Sequence, residues 1–298
     1  MVLAGGPDRE RPVSIKSGDS IAAAITQAGH KTVLCDLTPA NTAALDRFLD
    51  ESFDAVFPAL HGPWGEGGGM QALLDQHKIP YVGCQQAAAK LAMDKAVSKE
   101  LFTQAGLQTP SSTIATKNNL ADTFACPCVV KPVDEGSSIH LSICSTDDKV
   151  RAALTESFQD HDRMIVESFI TGREFTVGVL GTGDGAEPLP PVEIRPAEGE
   201  YDYDAKYIRQ DTDYLFESVA PEITTKLQTA ALTAHKLLGC RDLSRSDFIL
   251  TDADDAFILE TNTLPGFTDH SLLPKSAAHA GIPMHALCDK LVRWAVSR

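Results

Sequence analysis

With 298 residues, 43% of them hydrophobic and 22% charged, the chain can bury a large core and divide into two or three globular domains. A formal charge of -15 disfavours nucleic acid and anionic membrane as partners, since both need a basic face. Seven cysteines without a CxxC pair or Cys/His metal spacing argue against disulfides and zinc, and with no secretory or membrane-length apolar run they predict reduced thiols in a cytoplasmic protein.

The first segment alternates strand and helix. Met1 to Ala4 reads as a strand entering Gly5-Gly6, Ser17 to Ala28 as a helix closed by Gly29, Thr32 to Asp36 as a second strand and Ala55 to Leu60 as a third. That rhythm predicts a doubly wound α/β domain over residues 1–85, with ligands beyond the carboxyl ends of its strands. Two glycine-rich loops fall there, Gly5 to Arg11 and His61 to Gly69; neither fits a dinucleotide or Walker A pattern.

Residues 86–168 read as a small α+β unit, compact enough to act as a lid. Its parts are a helix from Asp94 to Ala105, an extended piece at Ser112 to Ala115, strands at Cys128 to Lys131, Leu141 to Cys144 and Met164 to Ser168, and a helix from Lys149 to Phe158. Cys126-Pro127-Cys128 reads as a strand entry. Residues 169–298 open with an antiparallel strand at Arg173 to Leu180 and a turn at Gly181 to Gly185. A polar, tyrosine-rich stretch from Glu198 to Tyr214 shows neither period and is read as a functional loop. A helix from Glu222 to Leu238, two apolar strands and a helix from Met284 to Val296 complete the chain.

Those two strands, within Ser244 to Thr268, carry the chemistry. Asp247 precedes an apolar run, and Glu260 and Asn262 stand two residues apart, hence on one face of their strand. Three oxygen ligands with no His or Cys select Mg²⁺ or Ca²⁺, and Mg²⁺ holding ATP phosphates is the natural reading. Arg245 shares the face of Asp247, where its fork can stabilise an oxyanion or a transferring phosphoryl group. A surface ion pair explains Arg-x-Asp alone better than a site does; Glu-x-Asn-x-x-Pro-Gly downstream weighs against it. Lys95, Lys131 and Lys206 are candidates for a positive pocket in an acidic chain.

Ordered motifs along nearly the whole length then resemble the D-alanine-D-alanine ligases of the ATP-grasp superfamily. They include Gly5-Gly6 with Glu10-Arg11, Ala59 to Gly62 with Gly65-Glu66, Met93-Asp94-Lys95, Val130-Lys131-Pro132 with Glu135 to Ser138, and Arg173 to Val177. Tyr201 to Tyr203 with Lys206-Tyr207, Arg245-Ser246-Asp247, and Glu260 to Gly266 through Ser271-Leu272 complete the set. The resemblance implies an ATP-grasp fold, with an N-terminal doubly wound parallel-sheet domain, a central α+β lid and a C-terminal mixed-sheet domain. It implies ligation of two D-alanines through an acyl phosphate for peptidoglycan synthesis, with ATP and two Mg²⁺ or Mn²⁺ ions, and a homodimer.

Residue by residue, the resemblance puts metal on Asp247, Glu260 and Asn262, and phosphates on Lys95, Lys131 and Lys206. Adenine falls to Glu167, Ser168 and Ile170, and ribose to Glu174. The first D-alanine falls to Glu10 with His61, and Glu10 is linked to Ser137 and Tyr207. Arg245 and the Gly266 N–H would serve the oxyanion, and Ser271 and Leu272 the second carboxylate. Four departures from the family pattern carry expectations: a short first strand that weakens the first core, Asp8 for serine, Gly67 in place of an aspartate, and His140 for a glycine beside the phosphate loop. A ligase with another acceptor, such as D-lactate, and a nucleotide-binding protein without catalysis are the competing readings.

Overall fold

The structure, a computed structural model, describes residues 1–136, 140–197 and 211–298, which are built on three sheets. The first segment runs β1 (Val2–Gly5), α1 (Arg11–Gln27), β2 (Leu34–Leu37), α2 (Ala43–Asp50), β3 (Phe57–Pro58), the single-turn α3 (Gly62–Gly65) and α4 (Gly69–Gln76). Its strands are parallel, in the order β2-β1-β3. Alternation along β1 sorts side chains into two layers: Val2 packs with Ile21 and Ile25 of α1, whereas Leu3 packs with Leu45 and Phe48 of α2 and Leu74 of α4. Helices thus cover both faces, as the doubly wound expectation required.

Three details of this segment differ from expectation. Helix α1 starts at Arg11, six residues before Ser17, because Pro12 in the first turn lacks only an N–H that would have no helical partner there. The third strand shrinks to two residues, since Pro58 donates nothing to a ladder. The short β1 does not loosen the core: Val2 and Leu3 are fully buried, and the Met1 ammonium donates to the Ala55 carbonyl at 2.9 Å.

The second segment comprises α5 (Gln86–Met93), α6 (Lys95–Gln104), β4 (Ser112–Thr116), β5 (Cys128–Pro132), β6 (Ser142–Cys144), α7 (Asp147–Ser157) and β7 (Arg163–Ser168), with antiparallel strands ordered β4-β7-β5-β6. Asp94 opens α6 by accepting the N–H groups of Ala96 and Val97. Helix α7 covers one sheet face, its Val150 and Leu154 packing with Val130, Met164 and Val166.

The third segment holds β8 (Arg173–Thr182), β9 (Glu187–Pro188), β10 (Val192–Pro196), β11 (Thr212–Leu215), α8 (Pro221–Leu237), β12 (Arg241–Leu250), β13 (Ala256–Asn262), α9 (Leu272–His279) and α10 (Met284–Val296). The sheet runs β11-β10-β8-β12-β13, with β9 also on β8. Every described pairing in it is antiparallel, which corrects the mixed sheet expected here. The turn between β12 and β13 is far too short for the crossover that parallel neighbours need. The end of the Glu198 to Tyr214 stretch also differs, because Thr212–Leu215 pairs with β10 as a strand. Leu227 and Ala231 of α8 back the sheet at Phe175, Val177 and Phe248. Leu287 and Leu291 of α10 join Val2 and Ile21, so the first and last segments share one core.

All seven cysteines are free. Among the described residues no helix is long and apolar enough to cross a membrane.

Candidate active site

Strands β12 and β13 place the candidate ligands by register. Asp247 lies opposite Glu260 and Arg245 opposite Asn262, and all four line one small polar pocket. Between them Ser246 and Thr261 point to the other face, where their hydroxyls meet at 2.8 Å in the buried sheet. Directly after Asp247 the register slips, so that Phe248 faces Ile258 and Leu259 is the extra residue. A bulge of this kind ends the ladder beside a site and re-aims the side chains next to it. Phe248 and Leu250 enter the core, while Asp247 and Ile249 face a second, larger cleft.

The carboxylates are held in place. Arg245 grips Asp247 with both arms, Nε to Oδ1 at 3.0 Å and Nη2 to Oδ2 at 2.8 Å. Thr176, the residue of β8 opposite Asp247, donates its hydroxyl to Oδ1 at 2.6 Å. Lys95 Nζ lies 3.3 Å from Glu260. The Asn262 amide faces the same aspartate, Nδ2 to Oδ2 at 3.3 Å, and half a turn of that amide would present its oxygen instead. Two carboxylates and an amide around one point, with no nitrogen or sulfur ligand, fit a hard divalent cation.

The small pocket, about 70 Å³, is lined also by Glu10, His61, Glu66, Gly266, Ser271 and Leu272. Glu10 is buried at the entry to α1 and His61 is buried just ahead of α3. Burial, with Arg245 near by, keeps His61 neutral against the opposing pull of Glu10, and among the described residues its Nε2 has no hydrogen-bond partner. Glu66, named in the sequence only as part of a motif, is the unforeseen member. Burial first, then Glu10 and Glu260, push its carboxyl well above the ordinary 4.5 and favour the protonated form. A Cβ on Gly136 would stand 3.5 Å from Glu10 Oε2 and 3.6 Å from Glu66 Oε1, so main chain closes over both acids.

The far wall is the turn into α9. Ser271 Oγ accepts from the Thr268 N–H at 2.8 Å and leaves the first turn of α9 without a side-chain cap. The N–H groups there have no helical acceptor and suit an anion. At Gly266 a Cβ would come within 2.9 Å of Ser271 Oγ, so only glycine fits this approach.

The larger cleft, about 680 Å³, lies between the sheet of β5 and β7 and the strands β8, β10, β12 and β13. Lys95, Lys131, Glu167, Ser168, Ile170 and Glu174 all line it. Glu167, whose main chain is expected at adenine, has its carboxylate on Lys131 at 2.6 Å and on Lys99 at 2.9 Å. Burial alone would raise this carboxyl, but the two ammonium groups outweigh burial and hold it below the usual range. Its side chain therefore sets the lysines in place, and Ser168 spends its own N–H on the Ser111 carbonyl at 2.9 Å. Glu193 is the counterpart across the cleft, clasped by Arg173 and by Arg195 at 2.8 Å. Its carboxyl, which burial would raise, is brought down to about 2 by Arg173, Ser218 and Arg195.

Lys99, Glu193 and Arg195 carried no sequence signal of their own; Glu66, Arg173 and Thr176 stood in motifs without a role. Asp8, at the departure from serine, is raised by burial and by Glu10 against the N–H groups of Trp64 and Gly65. Ser137, Lys206 and Tyr207, with Tyr201 and Tyr203, lie outside the described residues.

Known proteins resemble this chain along its length. The family pattern described as the D-ala D-ala ligase C-terminus matches residues 96–293, and its N-terminus partner matches 38–84. D-alanine–D-alanine ligase B of Chromobacterium violaceum is 39% identical over 98% of this chain and 95% of its own length. The D-alanine–D-alanine ligase of Gluconobacter oxydans is 38% identical over 100% and 99%. Among solved structures, a D-alanine–D-alanine ligase from Bacillus anthracis complexed with ATP superposes with a TM-score of 0.85 at 28% identity, covering 99% of this chain and 96% of that one. A D-Ala:D-Ser ligase from Enterococcus faecalis gives 0.83 at 27%, covering 99% and 98%.

Proposed function

The chain belongs to the D-alanine–D-alanine ligase family, and we propose how its two clefts divide the work of that reaction. It joins two D-alanines at the expense of ATP, through an acyl phosphate, to supply the dipeptide of peptidoglycan precursors. The observation that carries the division is that Asp247 and Glu260 line both clefts. ATP occupies the larger cleft and the amino acids the smaller, so the γ-phosphoryl group and the acceptor carboxylate meet at these two residues.

Lys95 and Lys131 take the phosphates, with Lys131 held charged because Glu167 and Glu260 outweigh its burial. Asp247, Glu260 and Asn262 would hold Mg²⁺ or Mn²⁺, which when bound neutralises phosphate charge. Ile170 and Ser168 offer main-chain groups to adenine and Glu174 takes the ribose. Glu10 receives the ammonium of the first D-alanine by a charge-assisted hydrogen bond. Neutral His61, which lines the pocket, adds an uncharged hydrogen bond.

Phosphoryl transfer from ATP to the first carboxylate releases ADP. The amine of the second D-alanine then attacks the acyl carbon, and its carboxylate lies against Ser271 and the N–H of Leu272. The tetrahedral oxyanion forms near Arg245 and the Gly266 N–H, before phosphate leaves and the amine gives up its proton. A coupled ADP-release assay across D- and L-amino acids tests this reading. ADP and phosphate should appear only with D-alanine and a divalent ion together; equal release with L-alanine would overturn it, and preferential use of D-lactate would reassign the acceptor.

A further inference from the structure

A second cluster of metal-ligating side chains lies apart from the oxygen set. Glu135 follows β5, His140 begins the approach to β6, and His161 stands between α7 and β7. Their three ligand atoms converge: His140 Nδ1 is 2.8 Å from His161 Nε2, and Glu135 Oε2 is 3.7 Å from each. These edges bracket the roughly 3.4 Å that separates ligands set about 2.1 Å from a tetrahedral ion. Glu135 Oε2 is buried and, among the described residues, has no hydrogen-bond partner. The two rings share a hydrogen bond in which one nitrogen donates and the other accepts.

From this geometry we propose that Glu135, His140 and His161 form a transition-metal site, most suited to Zn²⁺. Two imidazoles and one carboxylate are borderline ligands, preferred by zinc and its neighbours over Mg²⁺. The ion enters by displacing the proton between the rings, with modest opening of the shortest edge. A fourth position remains for water. Asp160 Oδ2, 3.9 Å from His140 Nε2, provides a carboxylate to orient the ligating ring. The side chains are 22%, 26% and 10% exposed, which leaves a path for the ion.

The site is not the ATP-linked cation site. His140 and His161 line neither cleft, and the oxygen ligands 247, 260 and 262 belong to another sheet. The two sites nevertheless communicate through the main chain, because the Glu135 carbonyl accepts a hydrogen bond from Lys95, which also pairs with Glu260. An ion on the Glu135 carboxylate therefore fixes the residue that holds a phosphate-binding lysine. His140 sits at φ +54°, a conformation that suits glycine, so His140→Gly removes the ligand without adding backbone strain.

The test is metal retention by the full chain, stripped with chelator and then given Zn²⁺ alone or Co²⁺ alone in excess Mg²⁺ before gel filtration. The unmodified protein should keep one equivalent of Zn²⁺, and Co²⁺ should give the visible absorption of a tetrahedral nitrogen-ligated site. His140→Gly and His161→Gln should each lose that equivalent and that absorption, while their circular dichroism stays unchanged. No retention by the unmodified protein would overturn the site. Equal retention by His161→Gln would overturn it too, by placing the ion on Asp247, Glu260 and Asn262.

Discussion

The two clefts that meet at Asp247 and Glu260 handle buried charge in opposite ways. In the larger, two buried carboxylates are each shared by two cations, Glu167 by Lys131 and Lys99 and Glu193 by Arg173 and Arg195. In the smaller, Glu10, Glu66 and Glu260 crowd together, and burial with mutual repulsion favours the neutral form of Glu66. In the proposed division of work, one wall stays charged and would present cations to phosphates. The other keeps the Glu66 carboxyl neutral in a small polar pocket.

The sharpest way to break this comparison is at Glu167. Glu167→Gln leaves two buried ammonium groups without their counter-charge and should cost about 3–5 kcal/mol in denaturant unfolding. A loss below roughly 1 kcal/mol, the worth of a surface pair, would mean that the wall is not organised by ion pairing. Arg245→Ala follows, with kcat falling on the order of 10²–10³-fold while ATP affinity by fluorescence titration changes little. Equal losses in both would make the guanidinium a support for Asp247 and nothing more.

At Glu10 the expected effect is smaller and confined to one substrate. Glu10→Gln should raise the KM of the first D-alanine about 10- to 100-fold, the worth of a hydrogen bond to a charged group, with the KM for ATP unmoved. A change in the ATP value alone would remove Glu10 from the amino-acid pocket.

The smallest effects are on pH dependence, where the two walls should differ in sign. Glu193 has its folded-state pKa lowered to about 2, so its contribution is present above the ordinary 4.5 and lost as pH falls towards 2. Glu66 has its folded-state pKa raised, so the folded state gives up stability as pH rises above 4.5 towards the raised value. Glu66→Gln should therefore flatten the decline above pH 4.5, and Glu193→Gln should flatten the loss on the acid side. Unfolding curves between pH 3 and 8 check both, and identical profiles for the two variants would erase the distinction between the walls.

How much of this was legible in the chain varies by element. The terminal helix Met284–Val296 and strand β8 stand where periodicity put them, because long, regular apolar spacing survives any context. The shared face of Arg245 and Asp247, and of Glu260 and Asn262, follows from two-residue spacing on strands. By contrast, α5 is not legible as an element between residue 85 and the helix at Asp94, because its N-cap Gln85 and alanine-rich run give little periodic signal. Strand β11 exists because β10 offers it an edge.

What the sequence determined by itself was therefore local: which strands alternate, where Asp94 starts a helix, which oxygen side chains share a face, and the ordered motifs of a family. What only the tertiary structure decided was every property that needs partners distant in the chain. Thr176 reaches Asp247 across 71 residues and Lys99 reaches Glu167 from another element, while Glu66 loses its charge through burial first and then through neighbours at 10 and 260. The physical reason is that side-chain direction is set within a few residues, whereas burial and Coulomb interaction depend on distances that exist only once the sheets have packed.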